Sequence, residues 1–147
     1  ELEGRRVLDL FAGTGQLGLE ALSRGAERCT FVDQRREAAA LVRENVKLCR
    51  FEDRARVAQE EALSFLSSCR EKFDVVFLDP PYQSGLLEKS LETLTRFDIL
   101  REYGIIVCES GTEWTVPPLA PPYEAGREYR YGQIKLTVCR RAGSVKQ

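Results

Sequence analysis

Four consecutive residues, Asp79-Pro80-Pro81-Tyr82, put a carboxylate, a backbone carbonyl and an aromatic ring side by side. The two prolines exclude both a helix interior and a paired central strand, so the loop is expected to be stiff. Neighbouring acceptors beside a flat ring suit a flat, amine-bearing molecule. The chemistry that needs such a grip is methyl transfer to the exocyclic amine of a nucleobase, a poor nucleophile while its lone pair is delocalised into the ring. If Asp79 and the Pro80 carbonyl each accept one N–H, the lone pair is aimed at an incoming methyl group. Pro81 would hold the turn and Tyr82 would stack on the base. The same four residues also make an ordinary rigid turn, because Asp-Pro favours turns.

The elements around this loop are those of an alternating α/β chain. Val75 to Leu78, apolar, β-branched and aromatic, reads as a strand buried on both faces, so Asp79 falls at its carboxyl end, where open α/β sheets bind ligands. Upstream, Arg6 to Phe11 reads as a strand, and the glycine-rich turn from Ala12 to Gly18 leads into a helix ending near Arg24. Cys29 to Val32 forms the next strand and ends in Asp33, twenty residues beyond Gly13, where a carboxylate can accept both hydroxyls of a ribose or cap the following helix. That helix, Arg36 to Leu48, places Ala38, Leu41, Val42, Asn45, Leu48 and Cys49 on one face. Arg54 to Gln59 is a third strand. Glu61-Ala62 then opens a helix with Leu63 and Leu66 inward. Glu61 and the N–H of Ala62 could read an adenine edge, or Glu61 could serve the helix dipole.

After the central loop, Ser84-Gly85 begins a helix with Leu87, Leu91 and Leu94 on one face, and Gly104 leads into a strand over Ile105 to Cys108. Residues 112 to 126 carry Pro117, Pro118, Pro121 and Pro122 and read as an irregular loop. Arg127 to Tyr131 and Gln133 to Arg140 form a hairpin about Gly132, with Ile134, Leu136 and Val138 alternating against Lys135 and Thr137. The expected fold is one α/β domain over residues 1–147: a doubly wound, mostly parallel seven-stranded sheet, five strands parallel and one reversed, ending in an antiparallel hairpin.

Composition narrows the chemistry. The 147 residues contain no histidine, and Cys29, Cys49, Cys69, Cys108 and Cys139 lie far apart, so no zinc site is expected and histidine-based nucleophile designs are excluded. All five cysteines are expected as small buried hydrophobes. No run approaches a membrane span, so a soluble intracellular chain without membrane contact is expected. With 22 basic and 23 acidic side chains the net charge is −1, a weak pull on a polyanion. Because the chain opens at Glu1 without any Met, an upstream segment is expected, and this charge balance makes a basic one the expectation.

Gly13-Thr14-Gly15-Gln16-Leu17-Gly18 satisfies G-x-G-x-x-G, so an NAD-dependent oxidoreductase is a competing reading. Asp9, four residues before Gly13, argues against it: negative charge spoils a pyrophosphate site but welcomes a methionine-like ammonium. A non-catalytic RNA-binding module would need a basic surface that the composition lacks.

The run from Asp9 to Arg24, Asp79 to Tyr82, and Gly132 to Arg141 resemble the bacterial 16S ribosomal RNA guanine-N2 methyltransferases of the RsmD family over nearly the whole chain. The resemblance implies a Rossmann-like class I methyltransferase fold with S-adenosylmethionine as methyl donor. It implies that Asp9, Phe11, Ala12, Gly13, Thr14 and Gly15 line the methionine end, Asp33 takes the ribose, Gln34 lies by the adenine, Glu61 and Ala62 meet its edge, and Asp79 to Tyr82 hold the base. The implied partner is ribosomal RNA, in an assembling small subunit, and the enzyme is expected to be a monomer. It is expected in the cytoplasm, or in an organelle if the upstream segment is a transit peptide. Asp-Pro-Pro-Tyr also occurs in DNA adenine methyltransferases and related motifs act on protein glutamine, so those acceptors stay open. Members of the family begin with a segment, implicated in RNA contact, that is absent here.

Overall fold

The computed structural model describes residues 2–143. Seven strands form one sheet in the order β3-β2-β1-β4-β5-β7-β6. The strands are β1 (Arg6–Leu10), β2 (Arg28–Val32), β3 (Ala55–Ala58), β4 (Phe73–Leu78), β5 (Leu100–Gly111), β6 (Tyr123–Tyr131) and β7 (Ile134–Arg141). Strands β1 to β5 pair in parallel, and β7 runs antiparallel to both β5 and β6. Among the described residues four α-helices, α1 (Gln16–Ser23), α2 (Arg36–Leu48), α3 (Ala62–Ser68) and α4 (Leu86–Arg96), connect the parallel strands, with a short 3-10 turn at Glu52–Arg54 before β3.

The sheet is wound in both directions from its centre. The chain steps outward from β1 through α1 to β2 and through α2 to β3, then returns by α3 to β4 on the other side of β1. The carboxyl ends of β1 and β4 therefore flank the point where the strand order reverses, the crevice in which such sheets bind ligands. Two cores result. Leu22, Phe31, Val42 and Val46 pack on the α1/α2 face. Leu66, Leu78, Leu91 and Ile106 pack on the α3/α4 face.

Helix α1 can sit this close to β2 because residue 18 has no side chain. A Cβ built at Gly18 would fall on the Phe31 ring and 2.7 Å from the Cys29 sulfur, and Phe31 is itself fully buried. Gly18→Ala should lower stability by about 1–3 kcal/mol, the usual cost of overpacking a full core. Urea unfolding checks this, and an unchanged midpoint would mean that α1 can lift off β2 freely.

Several expectations need correction. Helix α2 buries Ala38, Ala39, Val42 and Val46, whereas Leu41 and Leu48 are 40% and 74% exposed. The expected face was rotated toward the larger leucines, but the contact with the sheet is made by small and β-branched residues. Asn45 is not a packing residue either: its side-chain N–H donates to the Thr14 carbonyl at 3.0 Å and braces the glycine turn. In α3, Phe65 and Leu66 are buried and Leu63 only half-buried. Of the cysteines, Cys49 is exposed and Cys69 half-buried.

Strand β5 starts five residues earlier than expected and runs on to Gly111. Strand β6 begins at Tyr123, inside the stretch expected to be irregular. On β7 it is Lys135, Thr137 and Cys139 that are fully buried, and Ile134 is exposed. Trp114, Val116 and Leu119, from the connection between β5 and β6, pack on the core that contains Cys139. Lys135 is tolerated there with Glu128 at 3.5 Å. The hairpin is tied back by Asp98, whose carboxylate accepts from Arg141 at 2.8 and 3.0 Å and from the Tyr123 hydroxyl. These donors, the Arg141 guanidinium foremost, lower the Asp98 pKa to about 2.

Candidate active site

At the end of β1 the chain leaves the sheet through Phe11, which takes a positive φ of 68°, and then through Gly13 and Gly15 at 60° and 84°. That left-handed backbone is strained for Phe11 and natural for glycine. Nothing lies within 4 Å of a Cβ built at Gly13, so this turn has open space in front of it. The turn is held from three sides. Ala12 N–H donates to the Val32 carbonyl, Asn45 holds Thr14, and Asp33 Oδ2 accepts from Gly13 N–H at 2.9 Å.

Asp33 does not cap α2. The N-cap is Arg35, and Asp33 Oδ1 accepts from the Arg35 N–H at 3.0 Å and from its guanidinium at 3.2 Å. Burial works to raise the Asp33 pKa, but these hydrogen bonds outweigh it and hold the carboxyl below its ordinary value. It is an ionised acceptor at the end of β2, joined to the glycine turn.

Asp9 is 1% exposed, and its Oδ2 accepts from the Gly18 N–H at 3.0 Å, anchoring α1 to β1. Burial, partly offset by that bond and reinforced by the nearby charges of Asp79 and Asp33, raises its pKa to about 7.

Glu61 is the N-cap of α3, its carboxylate accepting from the N–H groups of Leu63 and Ser64, both at 3.0 Å. Those bonds hold its pKa below the ordinary glutamate value. The cap leaves out the N–H of Ala62, the first residue of the helix. Gln34 is exposed on the rim.

All of these come together. One cavity of about 840 Å³ is lined by Asp9, Phe11 to Thr14, Asp33, Gln34, Glu61, Ala62 and Asp79 to Tyr82. Of the expected site residues only Gly15 is outside the lining; it takes the left-handed turn that starts α1 and packs against Val42. The cavity fits S-adenosylmethionine by its donor set: the buried acid Asp9 for an ammonium, an ionised acceptor for a ribose, and an uncapped N–H at 62 for an adenine edge. Among the described residues no group of three or more Asp, Glu, Cys or His is arranged to hold a metal.

The Asp79 loop, at the end of β4, lines the same cavity. Pro80 is buried, Pro81 exposed, and the Tyr82 ring is 58% exposed. Ser84 Oγ donates to the Pro81 carbonyl at 2.7 Å, whereas no donor among the described residues reaches the Pro80 carbonyl. Glu109 escaped the sequence reading. Leu78 and Cys108 are partners in the β4–β5 ladder, so Glu109 stands beside Asp79, and the two carboxyls share a hydrogen bond. Burial raises both pKa values; the contact between the carboxyls works downward on Asp79 and upward on Glu109. The available signal was the position of Glu109 directly after the apolar run that ends at Cys108.

Comparison with known proteins agrees with this geometry. Residues 1–140 match the family model described as conserved hypothetical protein 95. The chain is 35% identical over 144 residues to the putative rRNA methyltransferase YlbH of Bacillus subtilis, covering 96% of this chain and 78% of that protein. It is 34% identical over 136 residues to the ribosomal RNA small subunit methyltransferase D of Escherichia coli, covering 92% and 68%. Among solved structures, the putative methyltransferase yhhF from Escherichia coli superposes with a TM-score of 0.89 at 32% identity, over 97% of this chain and 79% of that one. The fold is that of a class I methyltransferase, and the chain belongs to the conserved hypothetical protein 95 family, the family of the ribosomal RNA small subunit methyltransferase D proteins.

Proposed function

We propose that this protein transfers a methyl group from S-adenosylmethionine to the exocyclic N2 amine of a guanine in small-subunit ribosomal RNA. The observation that carries the proposal is the shared cavity: the Asp9, Gly13 and Asp33 wall and the Asp79 to Tyr82 wall face one space. Methyl donor and acceptor base would meet there. Relatives named as ribosomal RNA methyltransferases support the choice of RNA, and the small-subunit enzyme among them supports the choice of subunit.

The chain's own residues would divide the work between the two walls. Asp33 holds two ribose hydroxyls, Asp9 attracts an ammonium, and the Ala62 N–H meets an adenine edge. When bound, S-adenosylmethionine supplies a methyl group on a positively charged sulfur that leaves as a neutral thioether. On the acceptor side, Asp79 and the Pro80 carbonyl each take one N–H of the amine, and the Tyr82 ring stacks on the base. Glu109, beside Asp79 at the end of β5, holds the orientation of the Asp79 carboxyl. The methylated amine is a strong acid, and Asp79, raised above the ordinary carboxylate value by burial, is placed to take its proton.

Isothermal titration with S-adenosylmethionine and with NAD tests the donor half. Binding of the first and none of the second is expected; the reverse would replace this reading with an oxidoreductase.

A further inference from the structure

Beyond the Asp79 loop lies a second, larger cavity of about 1170 Å³, which shares Pro80, Pro81, Tyr82 and Glu109 with the first. Its far wall is the turn of the β6–β7 hairpin, where Tyr131 and Ile134 pair across Gly132. Both walls present apolar surface to water: Tyr82 is 58%, Tyr131 65% and Ile134 38% exposed. Nothing in the fold requires a tyrosine at a hairpin turn, and two exposed rings on one cavity form a patch rather than a scatter.

The charges say what the cavity takes. Its lining holds Glu88, Glu109 and Glu113 and neither Lys nor Arg, so a phosphate backbone is not drawn into it. Carboxylates beside aromatic rings instead match nucleobases, which offer N–H donors at their edges and flat faces for stacking. Glu88 is already engaged, accepting from the Trp114 indole N–H at 2.7 Å, which fixes the floor of the cavity. The volume exceeds the roughly 300–1,000 Å³ of a usual small-ligand pocket. There is room for a base beyond the one at Tyr82.

We infer that this cavity receives an unpaired nucleotide of the substrate strand next to the target, with its base stacked on Tyr131. The inference rests on the proposed RNA methyl transfer for the identity of the strand, and on the cavity itself for the stacking. It requires the RNA to arrive single-stranded or splayed at this point, since a paired and stacked base shows neither a free face nor a free Watson–Crick edge.

The test is fluorescence anisotropy with a dye-labelled single-stranded fragment of small-subunit ribosomal RNA and with the same fragment annealed to its complement. The parent protein, Tyr131→Ala and Tyr131→Phe are compared with S-adenosylhomocysteine present. Tyr131→Ala should weaken binding of the single strand about tenfold, within the range of losing one base stack. Tyr131→Phe should bind like the parent, and the duplex should bind weakly and equally to all three. Because Tyr131 lies at an exposed turn, all three should unfold at the same temperature. Equal single-strand affinity for Tyr131→Ala and the parent, a parent that prefers duplex, or a parent that binds neither RNA would overturn the inference. Tyr131-dependent binding without methyl transfer to any RNA would instead leave the stacking site standing and remove the proposed reaction.

Discussion

Replacing Asp79 with Ala should lower the rate of methyl transfer by about 10²–10³ while leaving S-adenosylmethionine binding at the parent level. The magnitude is that of deleting one preorganised hydrogen-bonding group from a site where charge shifts during reaction. Asp79 follows β4, whereas the glycine turn and Asp33 follow β1 and β2, so its loss removes an acceptor for the amine and leaves the Asp33–Gly13 contact in place. The expected split is therefore a fall in kcat with an unchanged dissociation constant for the donor. The pH dependence carries the same signature. Asp79 must be ionised to take the proton of the methylated amine, and burial raises its pKa above the ordinary carboxylate value. The parent rate should be complete above that raised pKa and lost as the pH falls through it, at a higher pH than an exposed aspartate would give. A variant that transfers at the parent rate would show that the amine is held by something else.

The second large effect is on the donor side. Asp33→Ala should weaken S-adenosylmethionine binding at least about tenfold, since a hydrogen bond to a charged group contributes roughly 1.5–3 kcal/mol and each 1.4 kcal/mol is a factor of ten. The same carboxylate accepts from Gly13 N–H, so its removal also frees the glycine turn from one of its braces. Asp33→Asn, which keeps one oxygen acceptor, should fall between the parent and the alanine variant. Isothermal titration of all three decides the matter. Unchanged affinity in Asp33→Ala would reduce Asp33 to a brace of the turn.

Much of the site was legible because its residues are contiguous and sit at strand ends. A strand buried on both faces is continuously apolar, so Val75 to Leu78 and the position of Asp79 could be read directly. The glycine turn and Asp33 follow from the same logic one and two strands away. Glu109 could not be read, because its meaning lies in the β4–β5 register, which brings together residues thirty positions apart. Asn45 was missed for a similar reason: at helical spacing it resembles a packing position, and only the approach of α2 to Thr14 gives its side chain a partner.

The misread faces have a common physical cause. Hydrophobic spacing says that a helix or strand has two sides, but the covered side is chosen by what comes to lie against it. On α2 the tight approach to the sheet selects Ala39 and Val46 over Leu41 and Leu48. On β7 the alternation was read correctly as alternation, yet the packing of Trp114, Val116 and Leu119 on that core accompanies burial of Lys135, Thr137 and Cys139. The prolines from 117 to 122 marked an irregular segment, and they concealed that regular pairing resumes at Tyr123, where β6 is already hydrogen-bonded to β7.

The most direct test of the account is to incubate the protein with methyl-tritiated S-adenosylmethionine and small ribosomal subunits, digest the RNA to nucleosides and locate the label. The account expects it in N2-methylguanosine, and expects it to appear about 10²–10³ times more slowly when Asp79→Ala is used under the same conditions. Label in N6-methyladenosine or in protein glutamine, or transfer undiminished by Asp79→Ala, would contradict it.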